Sequence, residues 1–225
     1  SGTGPKAGGP LYLYKLMQPN TLSFKQPFGT LNQMTEVNQT ANYTSEPQDT
    51  AYSAFRTWAK QHFPHVDLAE VYSPVGIYEL PGPTGESNQY TVLPRERVLS
   101  IAQDETQYLA QMNTIFAVGA QLSVLADNTF VLQHLAKMPE ILRRNIHSIS
   151  NVETGQFDAV FHHGTHTELT QLQDQISKRD GAIIAISHFN DDQTQLCIEP
   201  LIIERALSIN TAAAGGNASL MTLES

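Results

Sequence analysis

The chain has 225 residues, 13 Lys and Arg against 22 Asp and Glu, a formal net charge of −9 and 40% hydrophobic residues. That length suits one medium domain, or one domain with an appendage, burying a core that needs no staples. The acidic balance argues against nucleic acid and against an anionic membrane surface as partners. No apolar run reaches the length of a membrane span, and the single cysteine, Cys197, excludes an internal disulfide framework and fits a reducing cytoplasm. The chain opens at Ser1 rather than at a methionine, so a piece of a longer polypeptide is expected.

Residues 1–10, SGTGPKAGGP, contain four glycines and two prolines and form no regular element in isolation. They read as a linker, or as a loop bringing backbone close to a ligand with Lys6 beside it. Residues 19–48 are rich in Gln, Asn, Thr and Pro without periodicity and read as a linker. A helix is predicted over residues 49–63, with Asp49 as N-cap, an inward stripe of Tyr52, Phe55, Trp58 and Ala59, and a stop at Pro64. Residues 75–80 and 89–93 read as two strands around a wide Pro-Gly turn. Arg95 and Arg97, with Glu96 between them, are expected in salt bridges at the start of a sheet.

Residues 97–126 form the opening strand–helix–strand unit. Arg97-Val98-Leu99-Ser100-Ile101 is β-rich. Asp104 then offers an N-cap from which Gln107 can reach back. Leu109, Met112, Ile115 and Phe116 share a helical face, Gly119 can end the helix, and residues 121–126 are the second strand. The fold class predicted is α/β, a Rossmann-like, mostly parallel sheet with helices on both faces. A dinucleotide site needs glycines in the first turn, where the pyrophosphate meets bare backbone at a helix N-terminus. Here that turn reads Gln103-Asp104-Glu105-Thr106, with no glycine and two carboxylates. No cofactor is expected on this chain.

Asp127-Asn128-Thr129 caps a helix over residues 130–138, and residues 140–144 a second. Strands follow at 146–150, 157–161 and 182–187, the last apolar throughout, as a strand covered on both faces should be. Between the last two, Thr165–Glu168 is a capping box for a helix with Leu169, Leu172 and Ile176 inward, Lys178 and Arg179 in its last turn, and Gly181 at its end. His162, His163, His166 and His188 are expected just beyond strand ends, where open sheets place ligands. They could hold zinc, but lack partner cysteines or carboxylates at ligand spacing and are taken as polar loop residues. Cys197 reads as a buried structural thiol at a strand end. Asn38–Thr40 matches a glycosylation sequon that a cytoplasmic chain would not use. Residues 202–210 alternate as a strand, and residues 211–225 are small, then apolar at Leu220, Met221 and Leu223.

Several stretches carry a resemblance. SGTGPKAGGPLYLYKL at the start resembles the close of the glutamate semialdehyde dehydrogenase module of proline utilization A, the bifunctional bacterial flavoenzyme of proline catabolism. IERALSINTAAAGGNASLMTL resembles the extreme C-terminus of the long members of that family. GPTGESNQY, PRERVLSIA, FDAV and KRDGAI support the match between them. The resemblance implies the C-terminal domain of such an enzyme. Residues 1–18 would be the tail of the dehydrogenase module, 19–48 a linker, 49–210 a Rossmann-like domain of the aldehyde dehydrogenase superfamily, and 211–225 a docking tail. Residues 75–80, 89–93 and 202–209 would form a small three-stranded antiparallel β-flap. The implied role is noncatalytic: support of the aldehyde-binding loop and closure of the tunnel between two active sites. Its partners would be the proline dehydrogenase and aldehyde dehydrogenase modules of the same polypeptide. FAD and NAD, with every catalytic residue, would belong to the parent upstream. The parent would be cytoplasmic, with peripheral contact to the inner membrane as an option. Ser1, Gly2 and Thr3, beside the aldehyde-anchoring loop, and Asn217, Leu220, Met221 and Leu223 in the tail are the implied tunnel or partner contacts. Two other readings stand beside this one: a functional nucleotide-binding oxidoreductase domain, and an oligomerisation module whose flap pairs edge to edge in a homodimer.

Overall fold

A computed structural model describes residues 50–80 and 84–210. The expected dehydrogenase tail, linker and C-terminal tail lie outside the described residues, and with them Ser1, Gly2, Thr3, Asn217, Leu220, Met221 and Leu223.

Helix α1, Ala51–His62, is capped by Thr50, whose hydroxyl accepts from Ser53 N–H at 3.1 Å. The cap therefore sits one residue beyond the expected Asp49. Phe55, Trp58 and Ala59, spaced i, i+3 and i+4, are its buried stripe. Phe55 meets Phe116 of the next helix with ring centroids 5.7 Å apart. Each large apolar side chain so buried stabilises the fold by about 1.5–3 kcal/mol.

Strands β1, Gly76–Leu80, and β2, Glu86–Pro94, form an antiparallel hairpin. Gly85 takes φ +87° there, a conformation that favours glycine. β2 is the middle strand of the flap and pairs along its whole length with the last strand, β8, Ile202–Asn210. One face of the flap sets Tyr78, Tyr90 and Val92 into the core.

Strand β3, Arg97–Ile101, is followed by α2, Glu105–Ala117, and β4, Gln121–Leu125, parallel to β3. Gly119 ends the helix at φ +81°. The chain continues through α3, Thr129–His134, a 3-10 turn at Leu135–Lys137, and α4, Glu140–Arg144. Then come β5, Ile146–Ile149; β6, Ala159–His163; α5, His166–Ser177; and β7, Ala185–Phe189. The five-stranded sheet runs β5-β4-β3-β6-β7 with every pairing parallel. β3 is central, and the strand order reverses across it. Val98, Ala159 and Phe161 face the larger core with α1 and α2, whereas Leu99 and Val160 face a second core with Leu172 of α5. Helices thus cover both faces.

Several boundaries differ from the sequence reading: β2 begins three residues earlier than expected, and the helix expected over residues 130–138 ends at His134 and gives way to the 3-10 turn. β6 begins and ends two residues later than expected, so it includes two histidines. β7 begins three residues later, and only Phe189 of its five residues is buried. It pairs with β6 alone among the described residues, so the apolar run at 182–187 marks an edge strand and its approach, with Ile183 left 78% exposed. α5 stops at Ser177; Lys178 is its C-cap and pairs with Asp174 at 2.8 Å, while Arg179 leaves the helix altogether. No helix among the described residues is long and apolar enough to cross a membrane.

Candidate functional site

Open α/β sheets hold ligands above the carboxyl ends of the strands where their order reverses. Here that is the crevice above β3 and β6, between the N-termini of α2 and α5. Both termini are filled from within. Asp104 Oδ1 accepts from Gln107 N–H at 2.8 Å. Gln107 reaches back as expected, but to Gln103 N–H at 2.8 Å, one residue before the cap. Its amide nitrogen also donates to the Asp191 carbonyl at 3.0 Å, tying α2 to the segment after β7. At α5 the predicted capping box is present: Thr165 Oγ1 accepts from Glu168 N–H, and Glu168 Oε2 accepts from Thr165 N–H at 2.7 Å. Those bonds to Thr165 hold the Glu168 carboxyl below its ordinary pKa.

Gln103 closes the gap by donating its amide to Glu168 Oε1 at 3.4 Å. Gly164 lies beneath this bridge at φ +150°. A Cβ there would stand 2.7 Å from Glu168 Oε2 and 3.0 Å from Gln103 Nε2. The amides that would cradle a pyrophosphate are therefore engaged, and the groups facing the crevice include two carboxylates. Beside the crevice, a cavity of about 190 Å³ opens between the ends of β3 and β4, lined by Ser100, Ile101, Tyr108, Leu125 and residues 127–129. Asp127 stands after the second strand, where a dinucleotide-binding domain carries its ribose-binding acid. Sequence reasoning treated Asp127 as part of a helix cap; its spacing of some twenty residues beyond the first turn was the missed signal. The cap is Asn128, accepting from Val131 N–H at 2.9 Å.

The histidines are not loop residues. His162 and His163 end β6 and are 1% and 0% exposed. His188 lies within β7, in register with His162, and their Nδ1 atoms are 3.0 Å apart. His163 lies between Gln111, 2.8 Å from its Nδ1, and the Gln193 carbonyl, 2.9 Å from its Nε2. His166 opens α5 and is exposed. The structure thus brings together His162 and His188 of the four. Among the described residues no three His, Cys, Asp or Glu side chains are placed to share a metal. Burial, then the neighbouring His188, lowers the His162 pKa, and burial lowers that of His163.

Cys197 lies in the turn before the 3-10 segment Glu199–Leu201, not at a strand end, and is partly buried. Burial, with Glu199 nearby, pushes its thiol up to about 12, the reverse of an activated nucleophile. Arg97 pairs with Glu96 at 3.7 Å, but Arg95 donates to the Pro200 carbonyl at 2.7 Å instead of joining a salt bridge. A wider groove of about 570 Å³ runs along α1 past Trp58, Gln61 and Lys137, away from the strand ends. On the flap, Ile203, Leu207 and Ile209 alternate along the outward face of β8 and are exposed, Leu207 by 53%. No strand pairs with the other edge of β8 among the described residues.

No family model matches the chain. It is 40% identical over 234 residues to the bifunctional protein PutA of Escherichia coli K12, which covers 99% of this chain and 17% of that protein. To the PutA of Rhizobium meliloti it is 30% identical over 236 residues, covering 99% of this chain and 18% of the relative. The chain is thus homologous to part of PutA and spans less than a fifth of the length of these relatives. Among solved structures, a bifunctional proline utilization A protein is 16% identical over 61% of this chain and 15% of its own, with a TM-score of 0.40. An indole-3-acetaldehyde dehydrogenase in its apo form is 9% identical over 62% of this chain and 34% of its own, with a TM-score of 0.41.

Proposed function

We propose that the chain is a noncatalytic adapter domain of a bifunctional enzyme that oxidises proline to glutamate with FAD and NAD held in its other modules. In this reading it supports the aldehyde-binding loop and seals the tunnel between the two active sites. Residues 1–18 are the end of the aldehyde dehydrogenase module, 19–48 the linker and 49–210 the body. Residues 211–225 dock on that module through Leu220, Met221 and Leu223, with Asn217 beside them and Ser1, Gly2 and Thr3 next to the anchoring loop. The enzyme is cytoplasmic.

The observation that carries the reading is the crevice above β3. Its two helix N-termini are capped by Asp104 and by the Thr165–Glu168 pair, and Gln103 bridges them. A diphosphate seated there would displace those caps and face both carboxylates. What remains is a surface for neighbours, and the apolar outward face of β8 supplies one.

In the complete enzyme, removal of residues 211–225 is expected to add a lag to NADH formation from proline while leaving each half-reaction intact. Coupled kinetics without a lag contradict the proposal. The cavity beside Asp127 favours a second reading, a retained nucleoside site. Calorimetry with adenosine monophosphate and with NAD separates the two, since the adapter reading expects no saturable heat with either. The open edge of β8 bears on the oligomerisation reading, which predicts a dimer of the isolated chain by light scattering.

A further inference from the structure

The crossing from the parallel sheet to the flap, residues 190–198, is tied to the sheet by Gln107 at Asp191 and by the buried His163 at Gln193, while the buried His162 meets His188 on β7 just before it. We propose that His163 and the His162–His188 contact form a pH-sensitive latch, which fastens the end of β7 and this crossing to β6 only while His163 is neutral and the two facing Nδ1 atoms of the pair share a single proton.

The proton positions follow from the contacts. Gln111 lies 2.8 Å from the Ile101 carbonyl through its amide nitrogen, and its amide oxygen accepts from Ser100 Oγ–H at 2.6 Å. That orientation points Nε2–H at His163 Nδ1, so Nδ1 must accept and Nε2–H must donate to the Gln193 carbonyl. A second proton on His163 would sit on Nδ1 against an N–H donor at 2.8 Å. The ring then loses Gln111, and the Gln193 bond loses its fixed support.

His162 is limited differently. One proton can lie between its Nδ1 and that of His188 at 3.0 Å. Protonating both rings sets two cations face to face across the β6–β7 pairing. The surrounding charges are Glu168 on α5, Asp104 at the start of α2 and Asp191 on the crossing itself. All three favour a charged ring, but Glu168 is committed to Thr165 and Asp104 to Gln107 N–H. No hydrogen bond joins any of the three carboxylates to His162 or His163. Burial outweighs them at both histidines, so the protons are accommodated by letting the segment go. The backbone pairing of β7 with β6, Gln107 donating to the Asp191 carbonyl, and Phe189 against Phe161 with ring centroids 5.0 Å apart remain as uncharged ties. Release therefore loosens the approach to β8 without unfolding the sheet.

The test is hydrogen exchange on the 225-residue chain at pH 7.5 and 5.5, expressed as protection after correction for intrinsic rates. Each imidazole that gains a proton only on opening lowers protection by up to about tenfold over that interval, given an ordinary histidine pKa near 6.5. Residues 185–198 are expected to lose about tenfold to a hundredfold, and the histidine-free β1–β2 hairpin less than about threefold. Equal losses in both segments, or none at 185–198, overturn the latch. His188→Asn, a change at an exposed position, is expected to shrink the response; an unaltered response counts against the His162 half. Side-chain nitrogen spectra at pH 7.5 are expected to show His163 as the Nε2–H tautomer, and Nδ1–H would overturn the other half.

Discussion

Gln111→Leu tests the buried polar network from which the crevice is built. The side chain is fully buried in α2 and serves three partners: Ser100 Oγ, the Ile101 carbonyl and His163 Nδ1. Leucine fits the helix but offers none of these bonds. The Ser100 hydroxyl can rotate towards another acceptor. The Ile101 carbonyl and His163 Nδ1 cannot, and each buried orphan costs about 1–3 kcal/mol. The expected loss is therefore about 2–6 kcal/mol, read as a lower urea midpoint at unchanged slope and as a melting temperature lower by about 2–4 °C for each kcal/mol in a chain of this size. Gln111→Glu keeps the acceptor for Ser100 but turns a carboxylate on the Ile101 carbonyl, and should cost no less. A loss below about 1 kcal/mol for Gln111→Leu would show that the network is not the constraint the geometry describes.

Arg179 donates to the carbonyls of Val152 and Gly155 and lies 4.4 Å over the Phe157 ring. Arg179→Ala should destabilise by about 2–4 kcal/mol in the same urea assay, and Arg179→Lys should recover little, because an ammonium cannot bridge the two carbonyls in one plane. Gly164→Ala should push Glu168 off Thr165 and cost about 1–3 kcal/mol; a neutral result by thermal melting would mean that the bridge yields freely. Cys197, its thiol pushed up to about 12, should react with a disulfide reagent at pH 8 at least about a hundredfold more slowly in the folded chain than in urea, and equal rates would contradict its burial.

The pattern of the chain was legible where local chemistry and tertiary structure agree. Asp104, Asn128 and Thr165 each announce a helix that is present, Gly119 ends one, and the apolar runs at β3, β4 and β6 give a parallel sheet. Polar residues in buried places were misread. His162 and His163 resembled the start of a loop, because nothing local reveals that Gln111 and Gln193 wait to satisfy their nitrogens. Gln107 was expected only to reach back to the cap, yet α2 buries Gln107, Gln111, Asn113 and Thr114 as well as its apolar stripe. The end of α5 was set too late because Arg179 has its partners on residues 152 and 155, far from it in sequence. In the crevice, the missing glycines were visible, but the Gln103–Glu168 bridge joins residues 65 positions apart and could not be seen in advance.

The most direct test of the adapter account is an isothermal titration of the folded 225-residue chain with NAD. The account predicts no saturable heat up to about 1 mM, because Asp104 and Glu168 already occupy the amides a diphosphate needs. A dissociation constant in the micromolar range, weakened by Asp127→Ala, would contradict it.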